Sequence, residues 1–531
     1  MSTRVIITDS LHPLCFSMLN DAGFEVIDAS AWSKEEILKE SPTVKGWIIR
    51  SGTTIGSEFL DASPNLVAIG RAGVGVDNVD IPYATKKGVL VLNAPEGNTI
   101  STAEHTLAMM LALARKIGPA SHSLTSGKWD RKPYSGSELY GKTIGIAGLG
   151  KIGKEVVTRC LAFNMTVLGF DPLLTAEAAE KLGIERVELD DLFRRSDFIT
   201  VHTPLIPATK GLLNDATLAQ CKKGVRIINC ARGGIVDEAA LLRSLESGHV
   251  GGAALDVFST EPPTLEVRAL IEHPNVLATP HIAASTEEAQ EKVAVQVTEQ
   301  VINALRGEVV LTAVNALAVR MSAQPEVKPF ISLAERLGAA AEQISSGPAN
   351  RLLVRCHGDV PRRYKDVLRV VALKGFLSGN WNEPVNLVNA EVLAESAGMQ
   401  VDVETMHSPL AYSNVIEVRV DTKTASHSVS GTLFSDEDAR ITSIDGFGLE
   451  LKMMGHSMIY KNQDRPGMLA KVGQILAENN INIGALSLGR NVPGGNALTA
   501  IAVDQSISKE IINQISELEG VHGVGMLKFM P

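Results

Sequence analysis

Three polar residues stand where apolar, strand-like runs end: Arg232 after RIINCA, Glu261 after AALDVFST and His281 after LATP. In an open α/β sheet, ligands bind outside the carboxyl ends of the strands, so residues distant in sequence can converge in one cleft. Their types suit hydride transfer from a secondary alcohol. A histidine takes the hydroxyl proton near neutral pH. A glutamate beside it orients the ring and favours its charged form. An arginine grips a carboxylate through two parallel hydrogen bonds and polarises the reacting oxygen. Taken singly, each is more often a structural hydrogen-bonder than a catalyst.

The acceptor is suggested by a second pattern. The run TIGIA leads into Gly148-Leu149-Gly150-Lys151-Ile152-Gly153 and then into KIGKEVVTRCLAF. In a dinucleotide-binding turn, Gly148 makes the tight bend, Gly150 admits the pyrophosphate to the backbone and Gly153 lets helix and strand pack closely, with the helix N-terminus facing the phosphates. The next run, TVLGFD, ends in Asp171, 18 residues beyond Gly153. A carboxylate there bonds the adenosine ribose and repels the extra phosphate of NADP; no arginine follows it, and NAD is the expected cofactor.

These residues need a scaffold. VIITD, FEVID, GWIIR, LVAIGRAG and LVLNAP are short β-branched runs alternating with helices, the pattern of a parallel α/β sheet. The helix TISTAEHTLAMMLALARKI follows, and a second series begins at Lys142: TIGIAG, VLGFD, FITVHTP, RIINCA, GAALDVF and NVLATPHIA. Another long helix, STEEAQEKVAVQVTEQVINALRG, opens with Ser285 and Glu288 in capping-box spacing. SAQPEVKPF reads as a linker or boundary. Helices and strands mix from there to about Lys452, and the last segment reads βαββαβ, the ferredoxin-like plan.

Composition excludes several classes. The chain has 531 residues, enough for three or four domains at about 150 residues each. Apolar residues at 45% and charged residues at 21% belong to a globular protein. A net charge of −10 without basic runs argues against a nucleic-acid or anionic-membrane partner. LAMMLALA falls far short of the roughly 20 residues a membrane span needs. Five scattered cysteines without a CxxC pair speak against a disulfide framework or a structural zinc site, and no metal is expected. MSTRVIITDS lacks the features of a secretory signal, so the cytosol is the expected location.

The segments GLGKIG…D, VHTPL, INCARGGIVDEAALLRSLESGHVGGAALDVFSTEPP and HPNVLATPHIAAST, in this order, closely resemble the D-isomer-specific 2-hydroxyacid dehydrogenases. IIRSGT and AIGRAGVGVDNVDIPYATKKGVLVLNAPEGN extend the likeness through the N-terminal half. The resemblance implies Arg232, Glu261 and His281 as the catalytic residues. It implies cofactor contacts at Gly148, Gly150, Lys151, Ile152, Gly153, Asp171, Thr203, Pro204, Cys230, Ala231, Arg232, Asp256, His281, Ala283 and Ala284. Many relatives have glycine where this chain has Ala283. Cys230 reads as a small residue beneath the nicotinamide rather than a nucleophile, and His202 as a core residue rather than a second base.

The resemblance also implies an NAD-dependent oxidation of 3-phospho-D-glycerate to 3-phosphohydroxypyruvate, the entry step of L-serine synthesis. A phosphorylated acid is anionic at both ends, and Arg232 serves only one. Arg50 and Ser51, Arg71, Gly73 and Val74, and Arg131 with Lys132 from a loop are candidates for the other contacts. Near the C-terminus, Asp464, Pro466, Gly467 and Asn482 are similar to the effector-binding positions of the ACT module, which implies L-serine as effector and a homo-oligomer, dimer or tetramer.

The implied fold is a Rossmann-type NAD domain (99–285) inserted in a flavodoxin-like α/β substrate domain (1–98 and 286–315). An intervening α+β domain (316–452) and a ferredoxin-like ACT domain (453–531) follow. A dehydrogenase of another D-2-hydroxy acid and a non-catalytic NAD-sensing protein stand as alternatives. The intact Arg232, Glu261 and His281 argue against the latter, since a pure sensor needs no acid–base histidine.

Overall fold

Four of the five β-branched runs of the first hundred residues become strands buried on both faces, which is why they read as continuous apolar stretches; the edge run FEVID leaves Glu25 and Asp28 exposed. A computed structural model describes residues 2–529 except 380, 382–383 and 407–410. Strands β1 (Arg4–Ile7), β2 (Glu25–Asp28), β3 (Gly46–Ile49), β4 (Ala68–Arg71) and β5 (Leu90–Leu92) form a parallel sheet in the order β2-β1-β3-β4-β5. The helix Glu287–Arg306 covers it some 200 residues later in the chain: Val293, Val297 and Val301 share a core with Val5, Ile7, Ile48 and Leu92.

That helix begins one residue later than the sequence pattern suggests. Its cap is Thr286, whose hydroxyl accepts from the Ala289 amide at 3.1 Å, and Ser285 with Glu288 does not form the box. The chain after Gly307 stays with the first sheet. Ala313 bridges Leu92, and the Asn315 amide bonds Val91 N at 2.9 Å, Val89 O at 2.9 Å and Thr85 Oγ1 at 3.0 Å.

The second parallel sheet comprises β6 (Thr143–Ala147), β7 (Thr166–Phe170), β8 (Glu185–Arg186), β9 (Phe198–Val201), β10 (Val225–Asn229), β11 (Val250–Leu255) and β12 (Val276–Ala278). Its order, β12-β11-β10-β9-β6-β7-β8, is doubly wound. Sequence order reverses between β6 and β9, so a crevice opens at the carboxyl ends of those two strands. The helix Thr99–Arg115 backs this sheet, with Leu107 and Met110 packed among Ile144, Ile146 and Ile228.

Beyond residue 316 the strands turn mostly antiparallel: β13 (Ala349–His357), β14 (Gln400–Met406), β15 (Val415–Thr422), β16 (Ser426–Ser435), β17 (Asp438–Ile444) and β18 (Phe447–Lys452), in the order β14-β13-β15-β16-β17-β18. Of the two readings of SAQPEVKPF, a linker or a boundary, the structure excludes an open linker. Val327 is fully buried, and Pro329 sits in the first turn of the helix Lys328–Ile344, where a missing N–H costs nothing.

The last strands, β19 (Gly455–Gln463), β20 (Ile483–Arg490), β21 (Asn496–Val503) and β22 (Val521–Phe529), pair antiparallel as β20-β21-β19-β22. The sheet's second face is covered rather than open: Ile459, Leu498, Ala500 and Leu527 belong to the same core as Leu333, Leu337 and Val418. The Gln343 side chain adds a paired hydrogen bond to the edge, accepting from Lys528 N at 2.7 Å and donating to Lys528 O at 3.2 Å. Among the described residues no helix is long and apolar enough to cross a membrane.

Candidate active site

A cleft of about 850 Å³ lies between the carboxyl ends of the first two sheets. The first sheet contributes Arg50 and Ser51 after β3 and Arg71, Gly73 and Val74 at the end of β4; the second contributes Arg232, Glu261, His281 and Ala284. His281 Nδ1 lies 2.6 Å from Glu261 Oε2, and Glu261 Oε1 accepts from the Phe258 amide at 3.0 Å. Burial opposes ionisation of Glu261, yet His281 and the Phe258 N–H hold its carboxyl below the usual range. With Nδ1 engaged, Nε2 is the ring nitrogen left for a ligand.

Backbone geometry fixes that imidazole. His281 adopts a left-handed conformation, φ +54°, which is costly for a residue with a side chain. Asp256, immediately after β11, restrains it by gripping three successive amides. Its carbonyl accepts from His281 N at 2.8 Å; Oδ1 accepts from Ile282 N and Oδ2 from Ala283 N, each at 2.9 Å. Asp256 is fully buried. Ala283 is therefore a buried wall residue whose amide is spent on Asp256, whereas Ala284 faces the cleft.

Arginines crowd the cleft from both sheets. Arg232 donates through Nε to Asp77 Oδ2 at 3.1 Å and through Nη1 to Ala231 O at 2.7 Å. Asn229, at the end of β10, braces the turn by donating to Arg232 O at 2.8 Å and accepting from Ala231 N at 3.0 Å. Arg71 Nε is buried without a partner. Burial first, and the charges of Arg232 and Arg50 second, pull the Arg71 guanidinium down to about 10. An anion here would relieve mutual repulsion.

The glycine turn lies at the switch point. Gly148 has φ +96°, and a Cβ on Gly153 would meet Gly148 O at 2.1 Å, so the close strand–helix contact requires glycine there. A Cβ on Gly150, the N-cap of the helix Lys151–Ala162, would meet nothing within 4 Å, which leaves that backbone approachable. Asp171 accepts from Leu149 N at 2.8 Å and Leu173 N at 2.9 Å. Thr203 Oγ1 is buried without a partner next to this turn. An open glycine backbone, helix-terminal amides, a strand-end carboxylate and an orphaned hydroxyl fit a dinucleotide, which Gly150, Lys151, Ile152, Asp171 and Thr203 would hold. Lys151 Nζ meets Glu96 Oε1 at 2.5 Å.

Two further groups are chemically quiet. Burial, with Asp256 second, pushes the Cys230 thiol up to about 12, so little thiolate exists. His202 is bonded to Thr200 Oγ1 at 3.0 Å, and burial lowers its imidazole to about 4, a neutral core residue.

Not every nominated residue reaches the cleft. Arg131 and Lys132 are exposed at a short 3-10 turn tied to the end of the Thr99–Arg115 helix by Lys116 Nζ on Pro133 O, and neither lines the cleft. Asp464, Pro466 and Gly467 precede the helix Met468–Glu478, whereas Asn482 follows it, so the effector positions stand at its opposite ends. Asp464 accepts from Arg490 and from Gly494 N, each at 3.1 Å, and Asn482 donates to Asp504 at 2.7 Å.

Sequence reasoning missed Asp77, Asn98 and His105. Asp77 stands two residues after Gly75 in the GVGVD stretch, where its charge beside so many glycines was a usable signal. Asn98 lines the cleft without capping the helix it precedes. His105 sits in mid-helix, where no local pattern distinguishes it from a core histidine.

The comparisons agree with this geometry. Residues 107–283 match the family model described as D-isomer specific 2-hydroxyacid dehydrogenase, NAD binding domain, the class that the sheet order and site define. Residues 326–445 match the D-3-phosphoglycerate dehydrogenase intervening domain, and 456–520 the ACT domain. D-3-phosphoglycerate dehydrogenase of Bacillus subtilis is 40% identical over 525 residues, 99% of each chain; that of Homo sapiens is 46% identical over 409 residues, 77% of this chain and 76% of the other. The crystal structure of Aquifex aeolicus D-lactate dehydrogenase complexed with NAD and lactic acid is 28% identical, with a TM-score of 0.52 over 58% of this chain and 96% of that one. The chain belongs to the D-3-phosphoglycerate dehydrogenase family.

Proposed function

We propose that this chain catalyses the NAD-dependent oxidation of 3-phospho-D-glycerate to 3-phosphohydroxypyruvate, the entry step of L-serine synthesis. The observation that carries the reading is the His281–Glu261 pair at 2.6 Å in a cleft walled by Arg50, Arg71 and Arg232. NAD, when bound, supplies the acceptor for the hydride leaving C2. His281 Nε2 takes the C2 hydroxyl proton as that hydride departs, and Glu261 stabilises the resulting imidazolium. Arg232 holds the substrate carboxylate and polarises the C2 oxygen. The cations after β3 and β4 balance the phosphate.

We take residues 1–98 with 286–315 as the substrate domain and 99–285 as the cofactor domain, with the helices at Thr99 and Glu287 as the crossings and a hinge. Closure about it would press the Arg50 and Arg71 wall towards the cofactor and exclude water. We further read the ACT domain as the site of L-serine regulation in a homo-oligomer, and the cytosol as the setting.

NADH formation across a panel of D-2-hydroxy acids tests the reading, with a His281→Ala variant alongside. Preferred turnover of 3-phosphoglycerate, lost in the variant, is expected. Preference for an unphosphorylated acid would replace the substrate assignment, and turnover that survives His281→Ala would overturn the mechanism.

A further inference from the structure

Asp256 grips the three amides of residues 281–283, and something must keep its buried carboxylate charged. Thr279 Oγ1 donates to Oδ1 at 2.5 Å, a single hydroxyl on a carboxylate that is fully out of water. Among the described residues, the basic side chain within ion-pair distance is His105, on the helix Thr99–Arg115, with Nε2 at 3.3 Å from Asp256 Oδ1 and 3.4 Å from Thr279 Oγ1. The His105 side chain is 18% exposed and that of Asp256 is 0% exposed.

We propose that His105 is a positioning residue for His281: its Nε2–H donates into the Asp256–Thr279 pair, holds Asp256 as the acceptor of Ile282 N and Ala283 N, and so fixes the left-handed turn from which His281 reaches Glu261. This rests on the reading of His281 as the proton acceptor. The chain of contact is continuous, from His105 Nε2 to Asp256 Oδ1, and from the Asp256 oxygens to three amides including that of His281 itself.

The charge environment is consistent. Burial opposes ionisation of Asp256, but the bonds from His105, Thr279 and the two amides hold its carboxyl below the ordinary value. The other titratable groups around it are Cys230 at the end of β10, Glu261 on the loop after β11 and His281 on the loop after β12. Cys230 stays protonated, and Glu261 is already committed to His281. Neither can replace His105, because neither brings an N–H donor to Oδ1.

Removing the donor makes Asp256 easier to protonate, and a protonated carboxyl no longer accepts from both amides. The acid limb of activity should therefore move to higher pH.

The test compares His105→Leu with His105→Gln in the full-length protein, measuring kcat, KM and the pH profile of kcat with 3-phosphoglycerate and NAD. Leucine keeps the bulk and removes the donor; glutamine places an N–H near the position of Nε2. For His105→Leu, kcat should fall about tenfold, the size of one lost charge-assisted hydrogen bond. Its KM for 3-phosphoglycerate should change little, and its acid limb should rise. His105→Gln should recover most of the rate and the wild-type acid limb. Wild-type kcat and pH profile in His105→Leu would overturn the proposal. So would equal loss in both variants without a shift of the acid limb, which marks a packing role. If His105→Leu does not fold, the pH profile of His105→Gln against that of His105→Ala decides instead. Turnover that survives His281→Ala would overturn the underlying reading, whatever the His105 variants do.

Discussion

Glu261 and His281 stand twenty positions apart and meet at 2.6 Å because each follows a different strand of one parallel sheet. Glu261 is not simply near the ring. Its Oε1 is anchored on the Phe258 amide, so Oε2 presents to Nδ1 from a fixed direction. That arrangement fixes the tautomer with Nε2 outward and makes the pair a unit whose members fail differently when removed.

His281→Ala removes the proton acceptor, and kcat is expected to fall about 10²- to 10⁴-fold. Glu261→Gln keeps an acceptor oxygen but not the charge, and is expected to cost less. Steady-state NADH formation measures both. A larger loss in Glu261→Gln than in His281→Ala would contradict these roles.

Asp256 makes stability depend on pH in a known direction. Its folded carboxyl titrates below its ordinary value. Its contribution is therefore present above about pH 4, where the unfolded carboxyl is already ionised, and is lost as pH falls through the lower folded value. Asp256→Asn turns an NH₂ towards an amide N–H and should cost about 1–3 kcal/mol at pH 7. Thermal melts from pH 7 to pH 3 should show the gap between wild type and variant narrowing below about pH 4. A constant gap would refute the linkage.

Asp171 is the residue expected to set the cofactor preference. Its two oxygens accept from Leu149 N and Leu173 N, which aims the carboxylate across the end of β7 beside the glycine turn. Asp171→Ala should raise KM for NAD about tenfold, since one such contact is worth about 1.4 kcal/mol, and should narrow the preference for NAD over NADP. An unchanged NAD to NADP ratio would remove Asp171 from the ribose site.

The thiols give a check that needs no substrate model. Burial pushes Cys230 up to about 12, and Cys160, Cys221 and Cys356 rise to about 12 for the same leading reason. Because the thiolate is the reacting species, iodoacetamide at pH 8 should leave activity intact over the time that alkylates free thiol. Cys230→Ala should keep most of kcat. Rapid inactivation by the reagent would point to a nucleophilic Cys230.

What the sequence made legible follows from locality. G-x-G-x-x-G and Asp171 declare themselves because one strand, turn, helix and strand contain the whole device. Strand ends after apolar runs nominated Arg232, Glu261 and His281, and all three line one cleft with Arg50 and Arg71. Long-range relationships were not legible. His105 meets Asp256 across 151 positions through helix packing, and no spacing rule encodes that. The linker alternative for SAQPEVKPF failed because proline serves equally to break a chain and to open a helix, and the burial of Val327 separates the two. The Ser285 cap failed by one residue because Thr286 offers the same chemistry.

The effector positions impose a geometric requirement on regulation. Asp464 precedes and Asn482 follows the eleven-residue helix Met468–Glu478, so about 16 Å of helix separates them within one chain. A single amino acid cannot bridge that span. If both residues bind L-serine, the site must be completed by a second copy, with Asp464 of one ACT domain facing Asn482 of another. Serine inhibition should then weaken on dilution in step with dissociation measured by sedimentation. Asp464→Ala and Asn482→Ala should each raise the serine concentration for half-inhibition at least about tenfold while turnover persists. Full serine sensitivity in a monomeric fraction would show that one chain suffices and that these two residues do not share a ligand.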